Sequence, residues 1–415
     1  TRCTTVSWAR KMCIRDRVKM GPLEGIKIID ISTIVSGPLA ASMLGDQGAE
    51  VIKIEPPYKG ENARVMGPIK EGSGALFATV NRSKRSLAMD LKKAESKKII
   101  YKLIESADII IDNFRPGALD RLGLDFNSIK NFNPRIIQMS ITGYGETGPY
   151  SKRRVYDPLI QATAGVCDAQ SIDGHPKYMK TLMCDKITSL TAAQAMTAAL
   201  FKREKTNKGQ RVTLSMLDTA LYFMWSDSMY NYSWHGDDWA PIPNIADFYE
   251  PVKTKDGHIA LVAINDSEFS GVLKAIGRED LLEDERFSTT ENRLMNVVEM
   301  QEILLNAYSE FTSDELVERM EENDVPAAKI NRREDIFSDP QVINNSSIIN
   351  TKNNGEKIIK GPKPPANFLD DECDEPKFMP ALGQHSSEIL KEYGFSNDEI
   401  NSLIEKKIIQ GEKFD

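Results

Sequence analysis

The sequence predicts an α/β fold, with a large domain built on a parallel sheet and a smaller α+β domain after it. Short apolar runs alternate with helical segments over roughly residues 26–145, which is the pattern of βαβ units. The segments after these runs, such as "TIVSGP" and "GYGETGPY", are rich in Gly, Pro and polar residues. An aromatic, turn-rich stretch, "WSDSMYNYSWHGDDWAPIPN", then separates this region from a hairpin and several helical patterns.

The elements of the large domain can be assigned in order. "IKIIDIS" (Ile26–Ser32) predicts a buried strand, and "GPLAASMLGDQGA" predicts a helix with Pro38 at its first position and Gly48 as its stop. "EVIKIE" (Glu50–Glu55) predicts the next strand. The alternation continues through "SLAMDL", the helical "AESKKIIYKLIESA", "DIIIDNF" and "RIIQMSITGYG". Because open α/β sheets bind ligands beyond the carboxyl ends of their strands, the loops after these strands are the expected site.

The domain boundaries are placed at changes in composition. Residues 1–19 are basic and differ in composition from the rest of the chain, so we expect a non-native or disordered tail, with a transit peptide as the alternative. Residues 20–205 form the first part of the large domain and 206–244 a linker. Residues 245–335 form the small domain, with a hairpin turn at Asp256-Gly257, and 336–415 a further linker and a C-terminal segment.

Composition excludes several classes of protein. The 415 residues include 40% hydrophobic positions, enough for two domains, and no run approaches the roughly 18 apolar residues of a membrane span. The net charge is −8 although the first nineteen residues are basic, which argues against nucleic-acid binding. The five cysteines are scattered without a CxxC pair, so we expect a reduced, cytoplasmic protein without a zinc site.

Few residues offer chemistry, and carboxylates become the reactive candidates by elimination. "STIVSGPLA" is not a GxGxxG motif, there is no P-loop or GxSxG, and the four histidines are far apart. Asp185 precedes "KITSLTAAQAMTAALF", a helical stretch ending near Asn207. It can be read as the N-cap of that helix or as a nucleophile, because a carboxylate near a helix N-terminus stays ionised. The pattern leaves both roles open.

Four stretches carry a resemblance to a known family. They are "GPLEGIKIIDISTIVSGPLAASMLGDQGAEVIKIEPP", "DNFRPGALDRLG", "YDPLIQATAG" and "REKTNKGQRVTLSMLDTAL". In this order they resemble the class III coenzyme A-transferase family, from Met20 to the C-terminus. The resemblance implies a Rossmann-like, CoA-binding large domain to which the C-terminus returns, a small domain inserted between its two parts, and an interlocked homodimer.

The resemblance also implies the chemistry. Asp185 would be the nucleophile, forming first an acyl–aspartyl anhydride and then an aspartyl-CoA thioester. Coenzyme A and acyl-CoA would be substrates together with a carboxylic acid, with no tightly bound cofactor and no metal. By position, the resemblance implies coenzyme A contacts at Ile34, Val35, Ser36, Asn113, Phe114, Ala118, Arg121, Leu122 and Arg154.

Tyr156 and Asp157 bear on the type of reaction. The resemblance places both in the substrate site, where related racemases carry a His-Asp pair. Because Tyr156 replaces that His, a transferase is favoured over an acyl-CoA racemase, and a non-catalytic CoA-binding protein is the third alternative. Two departures concern specificity: the stretch "WHGDDWAPIPNIADFYE" lacks a glycine run, and Pro56 stands where formyl-CoA enzymes have Arg. A carnitine-like, dicarboxylic or aromatic acid acceptor is compatible with the sequence.

Overall fold

The computed structural model describes residues 21–236, 238–353, 355–371 and 375–414. The expectation for residues 1–19 lies outside them. The chain divides into two compact units. The large unit contains the described residues up to Met224 and from Ser346 onward, and the small unit is Trp225–Asn345.

Strands and helices make up both units. The strands are β1 Lys27–Asp30, β2 Glu50–Glu55, β3 Ile69–Lys70, β4 Ser73–Gly74, β5 Arg85–Met89, β6 Ile109–Asp112, β7 Ile137–Thr142, β8 Gln210–Ser215, β9 Val252–Lys253, β10 His258–Leu261, β11 Ala327–Lys329, β12 Ile348–Asn353, β13 Glu356–Pro362 and β14 Ile409–Gln410. The α-helices are α1 Ser36–Gly45, α2 Ala75–Val80, α3 Ala94–Ser106, α4 Ala118–Leu122, α5 Phe126–Ile129, α6 Asp157–Thr163, α7 Val166–Ala169, α8 Met183–Thr206, α9 Met216–Ser228, α10 Asp266–Ala275, α11 Thr290–Met295, α12 Val297–Tyr308, α13 Ser313–Glu322, α14 Pro340–Asn344, α15 Ser386–Glu392 and α16 Asn397–Glu405.

The large unit is built on a seven-stranded sheet with the order β14-β5-β2-β1-β6-β7-β8. All neighbouring strands are parallel except β14, which runs antiparallel to β5. The predicted α/β class with a mostly parallel sheet is therefore confirmed. The chain leaves β1 toward β2 on one side and later returns to β6 on the other. This reversal makes the crevice at the carboxyl ends of β1 and β6 the topological switch point, where open α/β sheets bind ligands.

Apolar side chains cover both faces of the sheet. On one face α1 and α8 pack against β1, β6 and β7, with Leu44 and Met196 fully buried. On the other face α3 packs together with α15 and α16 from the C-terminal segment. Strands buried on both faces read as continuous apolar runs, which is why "IKIID" and "DIIID" were recognisable in the sequence.

The small unit has its own core. Strand β10 pairs antiparallel with β9 and β11, and Leu273, Leu316 and Met320 are among the residues buried beneath them. The N–H of Thr254 donates to the carbonyl of Gly257 at 3.0 Å, so the hairpin predicted around Asp256-Gly257 is confirmed.

Three sequence expectations differ from the structure. Part of the predicted 206–244 linker belongs to the large unit, because Gln210–Ser215 pairs with β7 over six residues and α9 comes directly after it. The first helix begins at Ser36, two residues before Pro38, and ends at Gly45. The small unit, Trp225–Asn345, is wider than the predicted 245–335. Among the described residues, no helix is both long and apolar enough to cross a membrane.

Candidate active site

The loops after β1 and β6 are tied together at the switch point. The backbone N–H of Thr33 donates to Oδ1 of Asn113 at 2.8 Å, and Nδ2 of Asn113 donates to the carbonyl of Thr33 at 2.7 Å. Nδ2 also lies 3.3 Å from the hydroxyl of Ser36, the first residue of α1. One side chain after β6 therefore fixes the loop after β1.

This loop contains a strained residue. Ile34 has φ of 70°, in the left-handed region that β-branched residues rarely adopt. Its backbone N–H donates to Oε2 of Glu61 at 2.5 Å. Glu61 is in turn paired with the buried Lys53 at 3.0 Å. The conformation of Ile34 is thus imposed by its surroundings.

Asp185 lies in the first turn of α8, three positions into the helix, and is 9% exposed. The N-cap is Leu182, which has no side-chain hydrogen bond to offer, so the capping interpretation of Asp185 is wrong. The backbone N–H of Asp185 donates instead to Oδ2 of Asp157 at 2.9 Å. Asp157, at the start of α6, therefore satisfies an amide of the α8 terminus and leaves the carboxylate of Asp185 free for other contacts.

Gln161 holds Asp157 in place. Its Nε2 donates to Oδ1 of Asp157 at 2.6 Å, and its Oε1 accepts from the N–H of Met179 at 3.0 Å. Nε2 also lies 3.2 Å from the carbonyl of Thr181. One buried amide side chain thus connects α6 to the segment that leads into α8.

The electrostatics of Asp185 are set by its burial and its nearest polar groups. Burial, and after it the charge of Asp157, raises the pKa of Asp185 to about 7. Hydrogen bonds from the hydroxyl and backbone N–H of Ser36 oppose this rise. Burial and the two carboxylates raise the pKa of the neighbouring Cys184 thiol to about 12. Asp185 is therefore poised between its two protonation states near neutral pH, whereas Cys184 is a neutral thiol.

Asp185 opens onto a cavity of about 540 Å³. Six of the residues predicted from the sequence line it: Ile34, Ser36, Asn113, Arg154, Tyr156 and Asp185. Arg115 and Arg153 add two further guanidinium groups. The cavity combines two buried carboxylates, Asp185 and Glu61, with three guanidinium groups, a composition suited to an anionic ligand.

The other predicted site residues lie elsewhere. Val35 and Asp157 are buried and do not line the cavity, although each is adjacent in sequence to a residue that does. Phe114 lines a neighbouring cleft of about 500 Å³ that shares Arg115 with the cavity. Ala118, Arg121 and Leu122 lie on α4 and line neither of the two.

Sequence reasoning missed four residues of the site. Arg115 lies inside the quoted "DNFRPGALDRLG", and Arg153 directly precedes Arg154, so both could have been predicted from the sequence. Gln161 lies four residues after Asp157 on one helix face, a spacing that indicates contact. Nothing in the sequence around Glu61 signalled its contact with Ile34.

Metal ligands are a separate question. In the part of the chain that the structure describes, no group of three or more His, Cys, Asp and Glu side chains could hold a metal ion. The described cysteines, Cys167 and Cys184, are both free.

The fold and the site define an α/β protein with a carboxylate in an arginine-lined cavity at the switch point of its sheet. Comparison with known proteins gives the family. The family model described as CoA-transferase family III matches residues 23–386. The chain belongs to this family, and the resemblance and the enzyme class predicted from the sequence are confirmed.

Individual relatives agree with this assignment. The chain is 32% identical to the succinate–glutarate CoA-transferase of Agrobacterium fabrum, over 89% of this chain and 95% of that one. It is 33% identical to the human succinyl-CoA:glutarate CoA-transferase, over 91% and 87% of the two chains. The crystal structure of a CAIB/BAIF family protein from Brucella suis superimposes with a TM-score of 0.81 at 32% identity, covering 90% of this chain and all of that one.

Proposed function

We propose that this enzyme transfers coenzyme A from an acyl-CoA thioester to a carboxylic acid, with Asp185 as the covalent nucleophile. The observation that carries the proposal is the placement of the Asp185 carboxylate. It faces a cavity at the switch point of the sheet, in the first turn of α8, with its own helix amide bound by Asp157. The positive end of α8 favours the ionised form, which is the form that attacks.

The first half of the reaction consumes the donor. A carboxylate oxygen of Asp185 attacks the thioester carbonyl carbon, the C–S bond breaks, and CoA leaves as a thiolate. This thiolate attacks the aspartyl carbonyl of the resulting anhydride and releases the donor acid as its carboxylate. Asp185 then carries CoA as an aspartyl thioester.

The second half repeats these steps with the acceptor. Its carboxylate attacks the aspartyl thioester and expels CoA thiolate, which then attacks the acceptor carbonyl of the new anhydride. The acceptor leaves as its CoA thioester and the Asp185 carboxylate is regenerated. Because Asp185 is only 9% exposed, water has little access to either activated form.

The basic residues of the cavity are the proposed anion sites. Among the residues that the structure describes, Arg115, Arg153 and Arg154 form no ion pair, although Arg153 stacks on the ring of Tyr150 at 3.6 Å. Guanidinium groups bind phosphates and carboxylates through charge-assisted hydrogen bonds. We therefore assign them to the phosphates of CoA and to the acids, and we retain Phe114, Ala118, Arg121 and Leu122 as proposed contacts for the more distant part of CoA.

A dicarboxylic acid is the proposed acceptor. The Agrobacterium and human relatives are named for succinate and glutarate, both dicarboxylates. A second carboxylate would need a cation of its own, and the cavity has three. A carnitine-like or aromatic acid offers no second anion for them.

We propose that two copies of the chain form the interlocked homodimer that the family resemblance implied. Large apolar side chains are exposed on two helices of the large unit, including Leu190 and Phe201 on α8 and Tyr222 and Phe223 on α9. Several large apolar side chains exposed on one unit support an interface there. Light scattering on the purified protein tests the proposal and should give twice the chain mass. The cytoplasmic location stays a prediction from cysteine usage.

The experiment for the nucleophile is direct. Incubated with succinyl-CoA or glutaryl-CoA, the protein should gain a hydroxylamine-sensitive mass on the peptide that contains Asp185. Asp185→Asn should abolish the adduct, and Asp168→Asn, at an exposed carboxylate on α7, should keep it. Turnover of a verified substrate with an unmodified Asp185 peptide would overturn the mechanism. Exchange of the substrate α-proton with solvent deuterium, without an acceptor acid, would indicate an epimerase.

A further inference from the structure

We infer that Glu61 is a positioning residue for this reaction: its carboxylate holds the loop of residues 33–35 in the conformation that presents Ser36 to Asp185. The inference rests on the proposed role of Asp185 as the nucleophile. Glu61 does not act on the substrate in this scheme. It acts through Ile34, whose backbone N–H donates a hydrogen bond to Glu61 at 2.5 Å.

The loop needs such a holder because its conformation is unfavourable. A β-branched residue in the left-handed region costs on the order of 1–3 kcal/mol, so without a partner for its N–H, Ile34 would relax to negative φ. Asn113 fixes the neighbouring Thr33 from the other side. The two contacts bracket one peptide unit, and Ser36 comes two residues later.

Glu61 is itself held by a buried network of charges. Lys53, which is fully buried, pairs with Glu61 at 3.0 Å and lies 3.6 Å from Asp30. Lys53 also donates to the carbonyl of Ser32, the residue just before the loop. The backbone N–H of Glu61 donates to Oε1 of Glu55 at 3.1 Å. The carboxylate of Glu61 is therefore held by a buried lysine and its backbone by Glu55, which makes it a fixed acceptor for the N–H of Ile34.

Loss of the contact between Glu61 and Ile34 would have a distinctive effect on the pKa of Asp185. The groups that act on the Asp185 carboxyl are Asp157 and Ser36, and the neutral Cys184 thiol is adjacent to it in the chain. Glu61, Tyr156 and the three arginines line the same cavity. Ser36 favours the ionised form of Asp185 through two hydrogen bonds, so its displacement would raise the pKa of Asp185. Removing the negative charge of Glu61 would by itself lower that pKa. An upward shift therefore reports loss of positioning and not loss of charge.

The test compares Glu61→Ala with Arg82→Ala. Arg82 forms a partly buried ion pair with Asp46 in the same unit and does not line the cavity. Glu61→Ala should slow adduct formation about 10- to 100-fold and move the acidic limb of the kcat/KM profile to higher pH. Hydrogen exchange of the peptide containing Ile34 should also accelerate. Arg82→Ala should change neither the limb nor that exchange.

Two substitutions at Ile34 test the same contact from its other side. Ile34→Pro removes the N–H donor and fixes φ near −65°, so it should reproduce the upward shift even if Glu61→Ala fails to fold. Ile34→Gly removes the strain, because glycine adopts positive φ readily. In the Ile34→Gly background, Glu61→Ala should therefore cost several-fold less than in the native background.

The outcomes separate the two proposals. If the native protein forms no adduct on Asp185, the proposed function fails. If it forms the adduct but neither Glu61→Ala nor Ile34→Pro shifts the limb or the exchange rate, the positioning role of Glu61 is overturned and the proposed function stands.

Discussion

The backbone N–H of Asp185 donates a 2.9 Å hydrogen bond to the carboxylate of Asp157, a residue 28 positions earlier that is 1% exposed. The same contact has two effects. It satisfies an amide at the N-terminus of α8 and so fixes the turn that carries Asp185. It also places a second negative charge beside the Asp185 carboxyl, which adds to burial in raising its pKa. Asp157 thus both positions the proposed nucleophile and raises its pKa.

The pKa of Asp185, about 7, predicts an acidic limb in the activity profile. Only the ionised carboxylate attacks, so kcat/KM for acyl-CoA should rise through pH 7 and level off above about pH 8. Asp157→Asn keeps an oxygen acceptor for the Asp185 N–H but removes the charge, so its limb should lie at lower pH. The measurement is kcat/KM between pH 5 and 9. A profile that is flat over this range in the native protein would contradict the assignment.

The same shift predicts a pH-dependent effect on stability. Between about pH 4 and 7 the folded protein binds a proton on Asp185 that the unfolded chain has released, so this group makes stability fall as pH rises. Asn cannot ionise, so Asp185→Asn does not lose unfolding free energy as pH rises. It should be more stable than the native protein by on the order of 2–4 kcal/mol above pH 7. The gain should shrink toward pH 4. Urea denaturation of both proteins at pH 5 and pH 8 checks this, and an equal difference at the two values would rule it out.

The sequence specified the sheet better than the site. "IKIID", "EVIKIE" and "DIIID" could be predicted as strands because burial on both faces demands continuous apolar runs. Strand β8 was missed: "QRVTLS" lies at the sheet edge, where alternate residues are exposed. The two-residue strand β14 is too short to produce any pattern.

The site depends on contacts between distant parts of the chain, and local patterns do not contain them. Asp185 resembled an N-cap in sequence, but Asp157 determined which group satisfies the helix amide. The role of Glu61 depends on a backbone conformation at Ile34 that the residue's own preference opposes. The family resemblance supplied Asp185 as nucleophile where the pattern alone left it ambiguous.

Gln161 should matter for activity although it does not line the cavity. Gln161→Leu would remove the 2.6 Å bond to Asp157 and leave the N–H of Met179 without its acceptor. We expect a loss of about 1–3 kcal/mol in unfolding free energy and adduct formation slower by about 10- to 100-fold. The control is Gln301→Leu, at an exposed position of α12 in the small unit. A normal adduct rate in folded Gln161→Leu would show that Asp157 needs no such support.

Cys184 should be chemically silent despite its position beside the proposed nucleophile. Its pKa is raised to about 12, so at pH 8 it is a thiol, and thiolates are the reactive form. Cys184→Ala should therefore still form the adduct on Asp185. Iodoacetamide should label the partly exposed Cys167 before Cys184, as read by peptide mass mapping. An adduct that disappears in Cys184→Ala, with the fold intact, would assign the thiol a role.

Two glycines of α1 should respond in opposite ways to alanine. A Cβ at Gly37 would lie 2.3 Å from both Cβ and Oγ of Ser32, and neither atom can move far. Gly37→Ala should therefore lower the free energy of unfolding by about 1–3 kcal/mol or more and slow adduct formation, because Ser36 is the adjacent residue.

At Gly45 the Cβ would lie 3.3 Å from Cγ2 of Val51, a contact that a small shift relieves. Since alanine favours helices over glycine by roughly 0.5–1 kcal/mol, Gly45→Ala should be neutral or stabilising. Thermal unfolding and the adduct assay measure both variants, and equal behaviour of the two would show that the contact of α1 with Ser32 does not constrain the site.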